Sequence, residues 1–282
     1  MNAPWAHTRD NYDRLAERYA DFAGERYRTD PLSRAMVQAL AEQVSNTGGG
    51  PILDAGCGPG HISAHLQELG AHPFGVDLSP NLVTLARSTH PGLCFVVGAL
   101  QDLPLREHSV AGVVANYAII HTPPKQLPEI AAELARVLTD GGVALVSFQA
   151  LDAPGRIAEP FDHAVTRAYR YSPDHVCEVL AEVGVVETSR LVIAAKQDPL
   201  RGFPQAYVLA RKAAKARPSR GRGRASVHAA HNYRVGRSGP HKAAPLPDRP
   251  HLCEEEDEQG FTNTRTRTKQ QNPQSMHNAI YA

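Results

Sequence analysis

Residues 51–60 constrain the fold of this chain more than any other segment. Their sequence, PILDAGCGPG, indicates a short apolar strand that ends in an acid and passes into a turn with glycine at alternate positions. Such glycines remove the Cβ atoms that would block a ligand, and they permit positive φ angles. The helix predicted to begin at His61 turns its first unpaired N–H groups toward the same place. We therefore predict a turn that contacts a ligand through Gly56, Cys57, Gly58 and Gly60.

The spacing of the glycines separates two classes of nucleotide site. In the dinucleotide fingerprint Gly-x-Gly-x-x-Gly, the third glycine would fall on His61. The chain instead reads Asp54-x-Gly56-x-Gly58-x-Gly60. This order resembles motif I of the class I S-adenosylmethionine-dependent methyltransferases. The resemblance implies S-adenosyl-L-methionine as cofactor, bound by the turn and by Asp54.

A second acid follows at the end of the next predicted strand. Residues 73–80, PFGVDLSP, indicate a strand that ends at Asp77 and a helix that Ser79 caps and Pro80 opens. Nucleotide-binding α/β folds place the acid that takes the ribose hydroxyls at this point, roughly 20 residues beyond the glycine turn. A helix-capping role is the usual alternative for an isolated acid. The pairing with the glycine turn favours ribose binding by Asp77, with Leu78 beside it.

Two later segments resemble the same family in the same order. Residues 95–105, FVVGALQDLPL, resemble the loop that holds the adenine, with Ala99 in place of the usual Asp. Either the backbone of Ala99 and Leu100 holds the ring, or Asp102 replaces the missing carboxylate. The fourth strand, residues 110–117, is expected to bring Asn116 and Tyr117 beside cofactor and acceptor.

His121 follows the fourth strand and titrates near neutral pH, so it is the candidate general base. The competing interpretation, which the sequence favours, is that a histidine before Thr-Pro-Pro holds the loop by hydrogen bonds. An oxygen or nitrogen acceptor calls for such a base. The sequence leaves the acceptor and its reacting atom open.

Five strand–helix alternations predict a parallel sheet covered on both faces, with the carboxyl ends of its strands on one rim. The resemblance implies the full fold class: an α/β, Rossmann-like, doubly wound, seven-stranded, mostly parallel sheet. Its antiparallel last strand, residues 205–212, is expected between the fifth strand and the sixth, residues 185–194. Ser172 is predicted to cap the helix before the sixth strand.

The chain divides into three predicted parts. Residues 1–47 form an N-terminal helical lid, residues 48–212 the cofactor-binding core, and residues 213–282 a tail. Within the lid, residues 11–20 are amphipathic, and Tyr12 and Tyr19 share one helical face. The resemblance implies that Tyr12 leans over the cofactor, although simple packing explains it equally well. Residues 152–171 are expected to shape the acceptor pocket, with four candidates: Phe161, His163, Tyr169 and Tyr171.

The tail differs in composition from the rest of the chain. It has 12 Lys+Arg against 6 Asp+Glu, a net charge of +6, whereas residues 1–212 carry −5. Without apolar periodicity it is predicted to be disordered. Its Arg-Gly segment, residues 219–224, resembles RNA-binding segments. The favoured interpretation is that these charges are merely solvated, so nucleic acid is not an expected partner. A third interpretation is that the tail is an extension with no selected role.

The spacing of cysteine and histidine residues indicates whether disulfides or metal sites are to be expected. The cysteines at positions 57, 94, 177 and 253 have no paired spacing, which favours free thiols and a cytoplasmic location. The 14 histidines show no metal-site pattern. No metal is therefore expected. We also find no signal peptide and no apolar run long enough to span a membrane, so no membrane partner is expected.

The predicted function is methyl transfer from S-adenosylmethionine to a small-molecule acceptor. Two alternatives from other classes remain. A non-catalytic, S-adenosylmethionine-binding regulatory protein is supported by Ala99, and a nicotinamide-dependent oxidoreductase is disfavoured by His61. Oligomeric state stays open.

Overall fold

The computed structural model describes residues 5–198 and 201–214, so the predictions made for residues 215–282 lie outside the described residues. The described residues form nine strands. In chain order these are β1 (Pro51–Ala55), β2 (His72–Asp77), β3 (Cys94–Val97), β4 (Val110–Asn116), β5 (Leu138–Gln149), β6 (Ala158–Phe161), β7 (Ala168–Tyr171), β8 (Val185–Ile193) and β9 (Gln205–Lys212).

Seven of these strands form one sheet in the order β3-β2-β1-β4-β5-β9-β8. β1 pairs in parallel with β2 and β4, and β9 pairs antiparallel with both β5 and β8. This topology confirms the predicted fold class, including the last strand inserted between the fifth and sixth strands of the sheet. The remaining strands, β6 and β7, form a separate antiparallel hairpin.

Six α-helices accompany the strands in the described part of the chain. They are α1 (Ala6–Thr29), α2 (Pro31–Asn46), α3 (His61–Glu68), α4 (Pro80–Thr89), α5 (Leu127–Val137) and α6 (Pro173–Glu182). Both predicted serine caps are confirmed. Ser79 Oγ accepts a hydrogen bond from the backbone N–H of Leu82 at 3.1 Å, and Ser172 Oγ accepts one from His175 at 3.5 Å.

The sheet is buried on both faces. Leu53 of β1, Val113 of β4 and Leu145 of β5 have no exposed surface. One face packs against α2, whose Leu40 is completely buried, and the other packs against α5 and α6. Central parallel strands covered in this way are continuously apolar, as residues 110–115 of β4 and 143–146 of β5 show. The edge strand β8 leaves Val186 half exposed.

Two elements are longer than the patterns that predict them. The amphipathic pattern noted at residues 11–20 lies within a longer helix, α1, which runs from Ala6 to Thr29. The glycines at positions 141 and 142 are typical of a helix stop and a tight turn; α5 does end before them, and Gly141 has a φ of 77°, but the segment lies within β5, where the register with β4 shifts. α5 already ends at Val137, since Leu138 is extended and pairs with Val110 across a β-bulge.

The β6–β7 hairpin was not foreseen. Its two strands have four residues each and pair from Ala158 with Tyr171 to Phe161 with Ala168. Such short strands give too few residues for a period of two to be recognised. The hairpin occupies part of the segment that was expected to shape the acceptor pocket.

The thiols only partly match the prediction. Cys57 and Cys177 are free and buried, whereas Cys94 is disulfide-bonded, so the prediction of free thiols was wrong for Cys94. Cys94 begins an edge strand, β3, and is only half-buried. None of the helices within residues 5–198 and 201–214 is long and apolar enough to cross a membrane.

Candidate active site

The glycine turn between β1 and α3 has the backbone that its sequence predicts. Gly56, Gly58 and Gly60 adopt φ angles of 76°, 52° and 87°, in the left-handed region that favours glycine. A Cβ on Gly56 would lie 2.6 Å from the Cβ of Ala118, so a side chain there would collide with the segment after β4. The turn is therefore a bare backbone surface at the carboxyl end of β1.

Asp77 ends β2 beside this turn. Its Oδ2 accepts a hydrogen bond from the backbone N–H of Gly58 at 2.7 Å, and its Oδ1 accepts one from Ser79 at 2.8 Å. Burial raises the pKa of Asp77 to about 6, against the opposing effect of the hydrogen bonds from Ser79 and Gly58. Asp77 as a whole is 9% exposed, and it lines the cleft at the rim of the sheet.

That cleft brings together most of the predicted cofactor residues. Its predicted members are Tyr12, Gly56, Gly58, Asp77, Leu78, Leu100, Asn116, Tyr117 and His121. Further lining residues, which the sequence reasoning did not single out, are Trp5, Thr8, Leu82, Gly98, Gln101, Ala118 and Thr122. Tyr19, the second tyrosine of the lid face, also lines the cleft. Residues at the carboxyl ends of four strands, β1 to β4, and residues of α1 therefore line a single cleft.

Four predicted residues lie beside the cleft rather than in its wall. Asp54 is 1% exposed and accepts hydrogen bonds from the backbone N–H and Oγ of Ser63, at 3.0 and 2.7 Å. It therefore faces α3, and burial raises its pKa to about 7, with the Ser63 hydrogen bonds opposing. Cys57 packs in a small apolar cluster with Phe95, and a Cβ on Gly60 would lie 2.7 Å from the same ring. These three residues support the turn from beneath.

Ala99 is the fourth of these residues. Its carbonyl accepts a hydrogen bond from the backbone N–H of Asp102 at 3.1 Å, which closes the loop after β3. Gly98, Leu100 and Gln101 line the cleft, while Ala99 and Asp102 are not among the lining residues. The interpretation in which Asp102 replaces the usual carboxylate is therefore not supported by this geometry. Gln101 is the polar side chain of the loop that does line the cleft, and the sequence analysis missed it.

A second cavity adjoins the cleft. The two share Tyr12, Tyr19, Asn116 and Tyr117 as a common wall. Four of its other lining residues belong to α1: Phe22, Ala23, Arg26 and Tyr27. The rest come from the α1–α2 junction and from loops and strand ends of the core: Asp30, Ser33, Ile120, Gln149, His163, Asp198 and Arg201. Aromatic rings and charged groups of both signs are therefore combined in one cavity.

Of the four acceptor-pocket candidates, only His163 lines this cavity. Phe161 stacks edge-on against His163, with ring centroids 6.2 Å apart. Tyr171 is completely buried, and its hydroxyl donates to the carbonyl of Thr122. The largest share of the wall, six of its fifteen lining residues, comes instead from α1.

Tyr117 lies in the shared wall in an unusual backbone conformation. Its φ is 54°, a left-handed value that is rare for a bulky residue and occurs mostly at functional sites. The backbone N–H of Tyr117 donates to the carbonyl of Ser147 at 3.0 Å, and its hydroxyl lies 3.2 Å from that of Tyr207. Hydrogen bonds at both ends hold this ring in place between the two cavities.

His121 is fixed on both ring nitrogens. Nδ1 lies 3.0 Å from the carbonyl oxygen of Arg167, and Nε2 lies 2.9 Å from the hydroxyl of Tyr12. Burial lowers the pKa of His121. The hydrogen bonds fit the structural role considered for this residue, and the contact with Tyr12 in the cleft is compatible with the role of base.

The lid helix is anchored along its length over the rim. Asp13 Oδ1 accepts hydrogen bonds from Ser79 Oγ and from the backbone N–H of Asn81, the latter at 3.1 Å. Near the end of α1, the Tyr27 hydroxyl lies 2.7 Å from Nδ1 of His65. We call the contacts of Asp13 with Ser79 and Asn81 the lid clasp. The clasp joins the lid to the helix that follows Asp77.

The cleft fits S-adenosylmethionine. The bare turn admits close approach to backbone N–H groups, Asp77 offers a carboxylate to hydroxyl donors, and the lid covers both. In the part of the chain that the structure describes, no three His, Cys, Asp or Glu side chains are grouped so that they could hold a metal ion.

Comparisons with known proteins identify a methyltransferase domain in this chain. Residues 52–142 match the model of a methyltransferase domain. A malonyl-[acyl-carrier protein] O-methyltransferase of Erwinia billingiae is 29% identical over 188 residues, which cover 61% of this chain and 71% of that protein. The enzyme of the same name from Pectobacterium atrosepticum is 30% identical over 152 residues, and the chain spans only 58% of its length.

Solved structures support the fold. The 1,6-didemethyltoxoflavin-N1-methyltransferase of Burkholderia thailandensis, solved with S-adenosylhomocysteine, superposes with a TM-score of 0.57 at 21% identity, over 76% of this chain and 92% of that one. The [4+2]-cyclase SpnF superposes with a TM-score of 0.55 at 16% identity, over 65% and 82%. From its motifs, its fold and these matches, the chain belongs to the class I S-adenosylmethionine-dependent methyltransferases, enzymes that use S-adenosylmethionine as methyl donor.

Proposed function

We propose that this enzyme methylates a small-molecule acceptor, with S-adenosylmethionine in the cleft at the glycine turn and the acceptor in the adjoining cavity. One observation carries the proposal: the two cavities share a wall made by Tyr12, Tyr19, Asn116 and Tyr117. A methyl group at that wall would face an acceptor on the other side. Alignment of reacting atoms in this way supplies several kcal/mol of a reaction barrier.

The residues of the cleft have distinct proposed roles. Asp77 would accept hydrogen bonds from the ribose hydroxyls, with Leu78 beside the sugar, and Gly56 and Gly58 would meet the cofactor through the backbone. Leu100 and the backbone near Ala99 would hold the adenine edge. Three further predicted residues, Asp54, Cys57 and Gly60, would act by supporting the turn.

We further propose that residues 1–47 act as a lid over the core of residues 48–212. α1 contributes to both cavities and is held by the lid clasp. When bound, S-adenosylmethionine supplies a methyl group on a positively charged sulfur. The part of this chain is to orient that group, to exclude water and to receive any proton that the acceptor loses.

A cytoplasmic location remains part of the proposal. The free, buried thiols of Cys57 and Cys177 support it, while the disulfide at Cys94 speaks against it. Thiol labelling of the protein under non-reducing conditions, directly from cells, tests it. In a reducing cytoplasm the disulfide at Cys94 would be reduced, so labelling of Cys94 is expected; a Cys94 that is protected until a reductant is added would contradict that location.

The test of the function is calorimetric titration of the full chain with S-adenosylmethionine, S-adenosylhomocysteine and a nicotinamide dinucleotide. Binding of the first two alone is expected, and absence of both would overturn the proposal. A nicotinamide dinucleotide is not expected to bind, because His61 stands where the dinucleotide fingerprint has its third glycine. The Nε2 atom of His61 lies 3.2 Å from the carbonyl oxygen of Ala20 in the lid. Cofactor binding without S-adenosylhomocysteine formation over a broad acceptor panel would favour the regulatory alternative.

A further inference from the structure

The two ring nitrogens of His121 have partners of different kinds. Nδ1 faces the carbonyl oxygen of Arg167, which can only accept, so Nδ1 carries a hydrogen. Burial lowers the pKa of His121, so the ring is neutral at pH 7 and Nε2 carries none. Nε2 must then accept the hydrogen bond that joins it to Tyr12, and the Tyr12 hydroxyl donates it.

Neither hydrogen-bond partner of His121 is an acid that would hold the ring in its charged form. The other ring beside it is His163, with ring centroids 5.0 Å apart. Burial lowers the pKa of His163 to about 3, with His121 and Arg201 adding to the effect, so His163 is neutral as well. His121 is thus an unprotonated base at neutral pH.

Tyr12 stands between this base and the acceptor cavity. It lines both cavities, whereas His121 lines only the cofactor cleft. A hydroxyl that donates one hydrogen bond can still accept another. A proton leaving the acceptor can therefore reach His121 through the Tyr12 oxygen.

The wall of the acceptor cavity favours a planar ring. Four aromatic side chains contribute to it besides Tyr12, and their faces and edges suit stacking with another ring: Tyr19, Phe22, Tyr27 and Tyr117. The charged residues balance, because Arg26 and Arg201 are accompanied by Asp30 and Asp198. Such a balance gives no preference for an acceptor with a net negative charge.

From these observations we infer that the acceptor is a weakly acidic aromatic O–H or ring N–H group, whose proton passes through Tyr12 to Nε2 of His121. The inference rests on the proposed function and adds the class of acceptor and the route of its proton. Tyr12 becomes a catalytic residue, where the sequence suggested only a cofactor contact or packing.

The step balances in atoms and charge. The acceptor oxygen or nitrogen forms a bond to the methyl carbon, and the electron pair of the breaking carbon–sulfur bond stays on sulfur. The acceptor proton moves to the Tyr12 oxygen, while the Tyr12 proton moves to His121 Nε2. One positive charge disappears from sulfur and one appears on the imidazole, so the cleft gains no net charge as the proton arrives.

A carboxylate acceptor would make no use of this arrangement. A carboxyl group with an ordinary pKa near 4 is ionised at pH 7 and has no proton to lose. The malonyl group in the names of the Erwinia and Pectobacterium relatives is an acceptor of that kind. The Tyr12–His121 pair therefore distinguishes two substrate classes that share one fold.

The first experiment needs no acceptor. The full chain is labelled with ¹⁵N-histidine, the His121 signals are assigned by their loss in His121→Gln, and the tautomer is read from the nitrogen chemical shifts at pH 7. We expect a protonated Nδ1 and an unprotonated Nε2. A hydrogen on Nε2 would overturn the inference, because Tyr12 could then not donate to it.

The second experiment measures methylation of three probe groups by the full-length enzyme: phenols, ring N–H heteroaromatics and malonyl-pantetheine. Phenols or ring N–H compounds are expected to be methylated, with kcat in Tyr12→Phe reduced by about 100-fold or more. Affinity for S-adenosylhomocysteine should change by less than about threefold, as expected for loss of a proton path rather than of a binding contact. Tyr169→Phe, which removes a hydroxyl outside both cavities, is the matched control.

The outcomes separate this inference from the proposed function. Failure to bind S-adenosylhomocysteine would overturn the function itself. With binding intact, two results would overturn the inference alone: methylation of malonyl-pantetheine but of no aromatic probe, or a kcat in Tyr12→Phe within about threefold of the wild type. No methylation of any probe would overturn the inference and would also favour the regulatory alternative.

Discussion

Replacing Asp77 with Asn tests the proposed ribose contact, because the substitution exchanges one carboxylate oxygen for an NH₂ group and removes the negative charge. In the protein, both carboxylate oxygens accept backbone N–H groups, from Gly58 and Ser79. Asn keeps one accepting oxygen and places an NH₂ group against the other N–H donor. The variant therefore loses a charge-assisted hydrogen bond to a ribose hydroxyl and disturbs the glycine turn at Gly58. A hydrogen bond to a charged group contributes about 1.5–3 kcal/mol, so affinity should fall by roughly 10- to 150-fold.

Stability should change in a different way. A pKa raised from 3.8 to about 6 means that burial disfavours the ionised Asp77 by roughly 3 kcal/mol at pH 8. Asn carries no charge and relieves this cost, which offsets the lost backbone hydrogen bond of about 1–3 kcal/mol. The variant should therefore melt within a few degrees of the wild-type protein while its affinity falls.

The assay is calorimetric titration with S-adenosylhomocysteine at pH 8, together with thermal melting. Asp140→Asn serves as control, because it neutralises an acid in the first half of β5, away from the carboxyl-end rim that carries the cleft. An Asp77→Asn protein that binds within about threefold of wild type would refute the ribose assignment. A protein that loses both affinity and fold would refute the argument from burial of the charge.

Three further predictions follow from the same region. Because the folded pKa of Asp77 is about 6 and its ionised form accepts the ligand hydroxyls, S-adenosylhomocysteine affinity should be full above about pH 7 and fall up to tenfold per pH unit below about pH 6; calorimetry that shows a flat profile from pH 5 to pH 8 would contradict this. Gly60→Ala should destabilise the protein by roughly 3 kcal/mol in thermal melts, because the new Cβ combines a positive φ with a collision at Phe95. The control is Gly155→Ala, which has a similar φ but lies in open space and should destabilise the protein by about 1 kcal/mol. Asp13→Ala should open the lid clasp and speed S-adenosylhomocysteine release about tenfold in stopped-flow experiments, whereas Asp10→Ala, whose exposed side chain pairs with Arg9, should leave release unchanged.

The fold could be predicted because its signals are local. The glycine turn, the Ser79 and Ser172 caps and the apolar runs of the central strands each depend on a few neighbouring residues, and each lies where its sequence predicts. The order of the strands then follows from the family resemblance. β6 and β7 escaped prediction because two strands of four residues carry no usable periodicity.

The site was less accessible to sequence reasoning because side-chain direction depends on tertiary packing. Asp54 was expected to contact the cofactor, but at its position in β1 the side chain points to Ser63 of α3. Tyr12 and His121 lie 109 residues apart, and only the path of α1 over the rim brings them to 2.9 Å. Gln101 carries no motif that would mark it.

The position of β9 has a consequence for the synthesis of the protein. β9 is the last strand of the described residues, yet it lies inside the sheet, where residues Val143 to Gln149 of β5 pair with Arg211 back to Gln205. While the ribosome is still adding residues before 205, β5 has an unpaired edge and β8 has no neighbour in the sheet. An open apolar edge of this kind pairs readily with other chains. Protection of the emerging chain should therefore matter most in the interval between completion of β5 and release of residue 212.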